Sequence, residues 1–278
     1  MQHDITPDDD VETEVGLDEV EPGTAPTESE GPRRRGVYLL PNLFTTAGLF
    51  SGFYAIVAAM AGKFEPAAIA VFGAMVFDSL DGRVARWTHT ESAFGKEYDS
   101  LSDMVSFGLA PALVMFEWSL HSMVDYGNAW GKVGWMGAFF YAACAALRLA
   151  RFNVNAGIID KRYFQGLPSP AAAGILAGAV WSADSFDVPG SALIIPALIL
   201  TVGAGALMVS SVGFYSFKDL KLQGKVPFTV LLAVPLVLII IYLSPPNILF
   251  LGFLAYAVTG ICLALWRLHK RLNKKKAA

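Results

Sequence analysis

Eight apolar stretches of 17 to 23 residues divide the chain, at 43–61, 64–86, 97–118, 134–154, 168–184, 190–212, 226–243 and 247–267. A helix needs about 20 such residues to cross the ~30 Å hydrocarbon core of a bilayer. The expected fold is therefore all-α: a polytopic transmembrane helix bundle of about eight spans. Composition agrees, with 54% apolar and 16% charged residues in 278. The fifth block is the shortest and least apolar. Its small residues (Ala171, Ala172, Ala173, Gly174, Gly178) suit close helix–helix contact.

Basic residues set the expected orientation, because Lys and Arg collect on the cytoplasmic side. With a cytoplasmic N-terminus and eight spans, 19 of the 21 basic residues fall on that side, leaving Lys63 and Lys132 outside. Both termini are then expected to face the cytoplasm. Residues 1–32 carry eleven Asp or Glu and no Lys or Arg, without apolar periodicity, and read as a disordered acidic tail. The net charge of −3 thus hides a tail near −11 and a remainder near +8, which suits anionic headgroups. No apolar segment with a basic flank opens the sequence, so a cleavable signal is not expected. Nucleic acid is not an expected partner.

Cys144 and Cys262 fall inside spans without metal or redox spacing. His89 follows Arg86 and could touch a phosphate or simply be solvated.

Four aspartates sit at the membrane edge. Residues three or four apart share a helix face, so Asp78 and Asp81 point one way on the second span. Gly95, Asp99 and Asp103 stack along one face of the third. An ionised aspartate alone in lipid costs about 2.5–3.5 kcal/mol, so such a cluster needs a counter-charge. One or two divalent cations are the natural choice.

These residues form the pattern D-x2-D-G-x2-A-R-x8-G-x3-D-x3-D from Asp78 to Asp103. It resembles the signature of the class I CDP-alcohol phosphotransferases (CDP-alcohol phosphatidyltransferases), integral membrane enzymes of phospholipid synthesis. Further segments narrow the likeness: 35–46 (RGVYLLPNLFTT), 92–95 (SAFG), 102–108 (SDMVSFG), 148–153 (RLARFN) and 164–170 (FQGLPSP). They are similar to the bacterial serine-using branch, the CDP-diacylglycerol–serine O-phosphatidyltransferases. The likeness is strong from residue 33 to about 180, weak over the last two helices and absent from the tail.

The resemblance implies transfer of phosphatidyl from CDP-diacylglycerol to the hydroxyl of L-serine, giving phosphatidylserine and CMP. It implies Mg2+ or Mn2+, a pair per site, on Asp78, Asp81 and Asp99. Asp103 is left as general base, with a possible share in metal binding. Asn42, Thr45, Gly82, Ala85, Arg86 and Gly95 would join Asp78, Asp81 and Asp99 around the CDP group. Gly82, Gly95 and Ala85 keep that face shallow, and Arg86 could meet a phosphate or orient a carboxylate. For Asn42, Thr45 and Thr46 the plainer alternative is helix capping.

A zwitterionic acceptor needs a cation for its carboxylate. Arg148 and Arg151 are the candidates, with Asn153, Gln165 and Ser169 near in sequence. Each arginine could instead anchor the span or bind the pyrophosphate. Two other readings stand beside serine transfer: another acceptor alcohol, glycerol 3-phosphate or inositol, or a cation or proton transporter. Against transport, the aspartates gather at one edge rather than at the midplane. The expected division is a tail at 1–32, a catalytic core at 33–217, and two added helices with a basic C-terminus at 218–278. Membrane lipids are the surroundings, and homodimerisation follows from the resemblance alone.

Overall fold

The computed structural model describes residues 39–90, 92–154, 163–215 and 241–276, together with 235, 236 and 239. Helices α1 (Leu39–Met60) and α2 (Phe64–Thr88) form a hairpin whose connection turns at Gly62, φ +72°. Only a residue without Cβ takes that φ at no cost. The next rod begins at α3 (Ala93–Asp103), where the Ser92 side chain accepts from the Gly95 N–H and caps the first turn. It runs through a π-helical turn (Met104–Leu109) into α4 (Ala110–Trp118) and ends in a 3₁₀ stretch (Leu120–Tyr126). After Gly127, α5 (Asn128–Val154) runs back. Then come β1 (Tyr163–Gln165), α6 (Ser169–Asp184), α7 (Ile194–Val209), β2 (Gly213–Tyr215) and α8 (Pro245–Lys276).

This is an all-α membrane bundle with one small addition, an antiparallel ribbon pairing Phe164 with Phe214. Among the described residues, five helical segments are long and apolar enough to cross a membrane: Pro41–Met60, Ala93–Tyr126, Asn128–Val154, Gly190–Val209 and Pro245–Trp266. The chain is thus a multi-pass membrane protein. Helix α2 has the length, 25 residues, but its charges dilute its hydropathy; α6 is helical but has only 16 residues. Helices stand at seven of the eight expected blocks; the block at 226–243 lies largely outside the described residues, as does the tail at 1–32.

The core explains why α6 is so rich in small side chains. Ala172, Ala173 and Ala177 are fully buried, and a Cβ on Gly174 or Gly178 would meet Phe253 or Phe250 of α8 at 2.7–2.9 Å. Small residues there let α8 lie directly on α6, with dispersion contacts in place of voids. At its other end, Gly260 of α8 seats against the Phe214 ring. The large apolar side chains left exposed, such as Phe50 and Phe53 on α1 and Phe139 and Leu147 on α5, face outward as lipid demands.

Candidate active site

The aspartates meet where α1, α2 and the α3 rod converge. Carboxylate oxygens of Asp78, Asp99 and Asp103 all lie within 4.8 Å of one another, and Asp78 and Asp103 are within hydrogen-bonding reach. Asp81 stands beside them, 6% exposed, its Oδ2 accepting a 2.8 Å bond from the Thr45 hydroxyl. All four line one small cavity with Thr45, Gly48 and Phe107. Helical spacing on two adjoining elements thus brings together the residues that the sequence groups.

Two serines complete the wall. Ser102 and Ser106, 5% and 2% exposed, donate to the carbonyls of Thr45 and Gly48, which fastens the α3 rod to α1. The sequence reading missed them, although their spacing from Asp99, three and seven residues on, puts them on the aspartate face. The π turn begins immediately after Asp103 and is held by Tyr141 of α5, whose hydroxyl donates to the Phe107 carbonyl at 3.1 Å. Such an extra residue in a turn is often found at functional sites.

On the rim, Asn42 and Thr46 open α1. Thr46 donates to the Asn42 carbonyl and also bonds the Tyr98 hydroxyl at 2.9 Å. A Cβ on Gly95 would crowd the capping Ser92 Oγ at 3.1 Å and stand in ordinary contact, 3.5 Å, with Asn42 Oδ1. Gly82 faces open space, and Ala85 lies half-buried one turn on. Arg86 is exposed and folds back to donate from Nε to the Gly82 carbonyl.

The two arginines of α5 are placed differently. Arg148 is half-buried, donates to Ser169 at 2.6 Å, lies over the Phe152 ring and faces the charges of Asp103 and Asp78. Arg151, one turn further along α5, has different partners. It donates to the backbone carbonyls of Val209, Gln165 and Met208 at 2.8–3.1 Å, closing the C-terminus of α7 onto β1. Gly166, φ +83°, sits under that guanidinium, where a Cβ would strike the Met208 carbonyl. Asn153 bonds Ser100 of α3, and Gln165 is exposed in the ribbon.

Among the described residues, four carboxylates against one facing arginine in an apolar bundle are short of positive charge. Hard oxygen donors converging within 4.8 Å fit a divalent cation such as Mg2+ or Mn2+. The sequence model of the CDP-alcohol phosphatidyltransferase family matches residues 38–209, more than half of the chain and all of this site. The chain belongs to the CDP-alcohol phosphatidyltransferase family. Members similar to it include a Helicobacter pylori (strain ATCC 700392 / 26695) protein called CDP-diacylglycerol–serine O-phosphatidyltransferase, 34% identical over 87% of this chain and 98% of its own length. One of the same designation from Methanocaldococcus jannaschii is 37% identical over 69% of this chain and 80% of its own. An archaetidylserine synthase from Methanothermobacter thermautotrophicus is 35% identical over 63% and 69%.

Proposed function

We propose that this family member transfers the phosphatidyl group of CDP-diacylglycerol to the hydroxyl of L-serine, giving phosphatidylserine and CMP. The observation that carries the reading is the convergence of Asp78, Asp99 and Asp103 beside the Thr45-tethered Asp81. The acceptor follows from the serine in the names of the similar proteins.

Asp78, Asp81 and Asp99 would hold the divalent ions, two per site, and Asp103 would act as base. Bound there, the ions supply positive charge to the pyrophosphate oxygens. Thr45 fixes one carboxylate of the set, and Asn42, Gly82, Ala85, Arg86 and Gly95 border the cytidine nucleotide. The serine oxygen attacks the phosphorus that bears diacylglycerol. A new O–P bond forms, the bond from that phosphorus to the bridging oxygen breaks, and CMP leaves with the electron pair. Asp103 takes the hydroxyl proton. Arg148, beside Asp103 and braced by Ser169, binds the serine carboxylate. Asn153 and Gln165 lie near that pocket, and Arg151 braces the backbone behind it without touching serine.

The catalytic core is residues 33–217, the tail 1–32 and the addition 218–278. The enzyme works as a homodimer in the bacterial inner membrane. Its aspartates face the cytoplasm, as the 19-to-2 division of basic residues supports. The lipid enters sideways with its acyl chains still in the bilayer.

Purified protein given CDP-diacylglycerol, Mg2+ and one acceptor at a time should release CMP with serine and far less with glycerol 3-phosphate or inositol. Asp78→Asn should abolish release while the protein still inserts and purifies normally. CMP release from serine in metal-free protein would overturn the reading.

A further inference from the structure

The end of the bundle remote from the aspartates holds a cavity of about 490 Å³ between the α3 rod and the start of α5. Its walls are Phe116, Val124 and Trp135, and its polar groups are His121, Asn128 and Lys132; none of its lining residues is a carboxylate. We infer that this cavity binds the phosphodiester of a glycerophospholipid in the leaflet opposite the catalytic site.

Position comes first. His121 follows Asp103 by 18 residues along the rod, and Lys132 precedes Arg148 by 16 along α5. At 1.5 Å per residue both intervals place the cavity roughly 25 Å from the aspartate end. That is close to the thickness of a hydrocarbon core, so the cavity lies at the opposite headgroup level.

Charge and shape then select the occupant. Lys132 and Lys63 are the two lysines that the basic-residue division leaves on this side, and Lys132 lines the cavity beside two further N–H donors. A phosphodiester matches those donors. The apolar wall continues out of the cavity along α5, where Trp135 stacks on Phe139 with ring centres 5.6 Å apart. Both rings are about 60% exposed on the lipid-facing side. Acyl chains can lie along that track, and Trp at this depth is the usual interfacial residue. Inorganic phosphate shares the headgroup chemistry but gains nothing from the aromatic wall.

The test is a titration of purified, delipidated protein in detergent, following the thermal midpoint with three probes: dioleoylphosphatidylglycerol, dioleoylglycerol and inorganic phosphate. Phosphatidylglycerol should stabilise saturably. Lys132→Ala should weaken its apparent affinity about tenfold, His121→Ala should weaken it in the same direction, and Lys132→Arg should restore it. Should Lys132→Ala fail to fold, Lys132→Met keeps the aliphatic stem and is read in its place. Serine-dependent CMP release should be unchanged in these variants. Equal affinity of wild type and Lys132→Ala overturns the site. So does a Lys132-dependent shift with dioleoylglycerol alone, or one that inorganic phosphate reproduces by itself. A protein inactive with every acceptor would strike the proposed reaction while leaving this titration readable.

Discussion

Thr45 is the residue on which the site geometry depends most. The residue is 4% exposed and its hydroxyl serves the Asp81 carboxylate, itself buried, so Thr45→Val takes a side-chain donor from that carboxylate. The half-saturating Mg2+ concentration for CMP release should rise about 10- to 100-fold, the usual effect of losing a hydrogen bond that orients a metal ligand. Thr45→Ser should stay near wild type. The arginine pair separates in the same way. Arg148→Ala should raise the KM for serine about 10- to 100-fold and leave that for CDP-diacylglycerol nearly unchanged, a charge-assisted bond contributing about 1.5–3 kcal/mol. Arg151→Ala removes the donor to three backbone carbonyls. It should lower Tm by about 2–8 °C with little change in serine KM. A serine KM unaffected by Arg148→Ala would move the acceptor site elsewhere. Sequence spacing could group the aspartates because helical periodicity alone sets which side chains share a face. It could not separate Arg148 from Arg151, because the carbonyls that engage Arg151 come from β1 and the end of α7, remote in sequence.

Elements were legible to the degree that their length and apolarity are local properties. The block at 168–184 illustrates this: its small residues imply close packing, and in the structure they lie under Phe250 and Phe253 of α8. The π turn after Asp103 was not legible, since it arises from tertiary contacts: Tyr141 on one side and α1 on the other. The ribbon between β1 and β2 escaped for the same reason, three residues being too few to show an alternation. The α1 contact yields a sharp test. A Cβ on Gly52 would stand 2.6 Å from Ser106 Oγ and 2.7 Å from Ser106 Cα, and backbone cannot yield as a side chain can. Gly52→Ala should therefore push α1, and Thr45 with it, away from the π turn. Overpacking of this kind costs about 1–3 kcal/mol, so a lower Tm and a CMP-release rate down at least about tenfold are expected. Gly203→Ala is the control, because nothing lies within 4 Å of its Cβ position, and it should be neutral. An active, stable Gly52→Ala would mean that the α1–π contact does not hold the site.

At the scale of the whole molecule the aspartates, Arg148 and the basic residues Arg83, Arg86 and Lys96 belong to one end of the bundle, and Lys132 to the other. In the proposed reaction soluble serine and released CMP are cytoplasmic metabolites, so the aspartate end is expected to face inward, the side on which Lys and Arg are retained. The two demands coincide, and labelling tests them together. Cys144 is buried but Cys262 is exposed on α8, so both are first replaced by Ala. Single cysteines then go in at His89, exposed at the end of α2, and at Ser122 and Phe186, at the other end of the bundle. A membrane-impermeant maleimide added to intact cells should modify Ser122→Cys and Phe186→Cys and spare His89→Cys. In inverted vesicles the pattern should reverse. Modification of His89→Cys from outside would turn the catalytic face outward, where no cytoplasmic serine reaches it, and would remove the topological support for serine transfer.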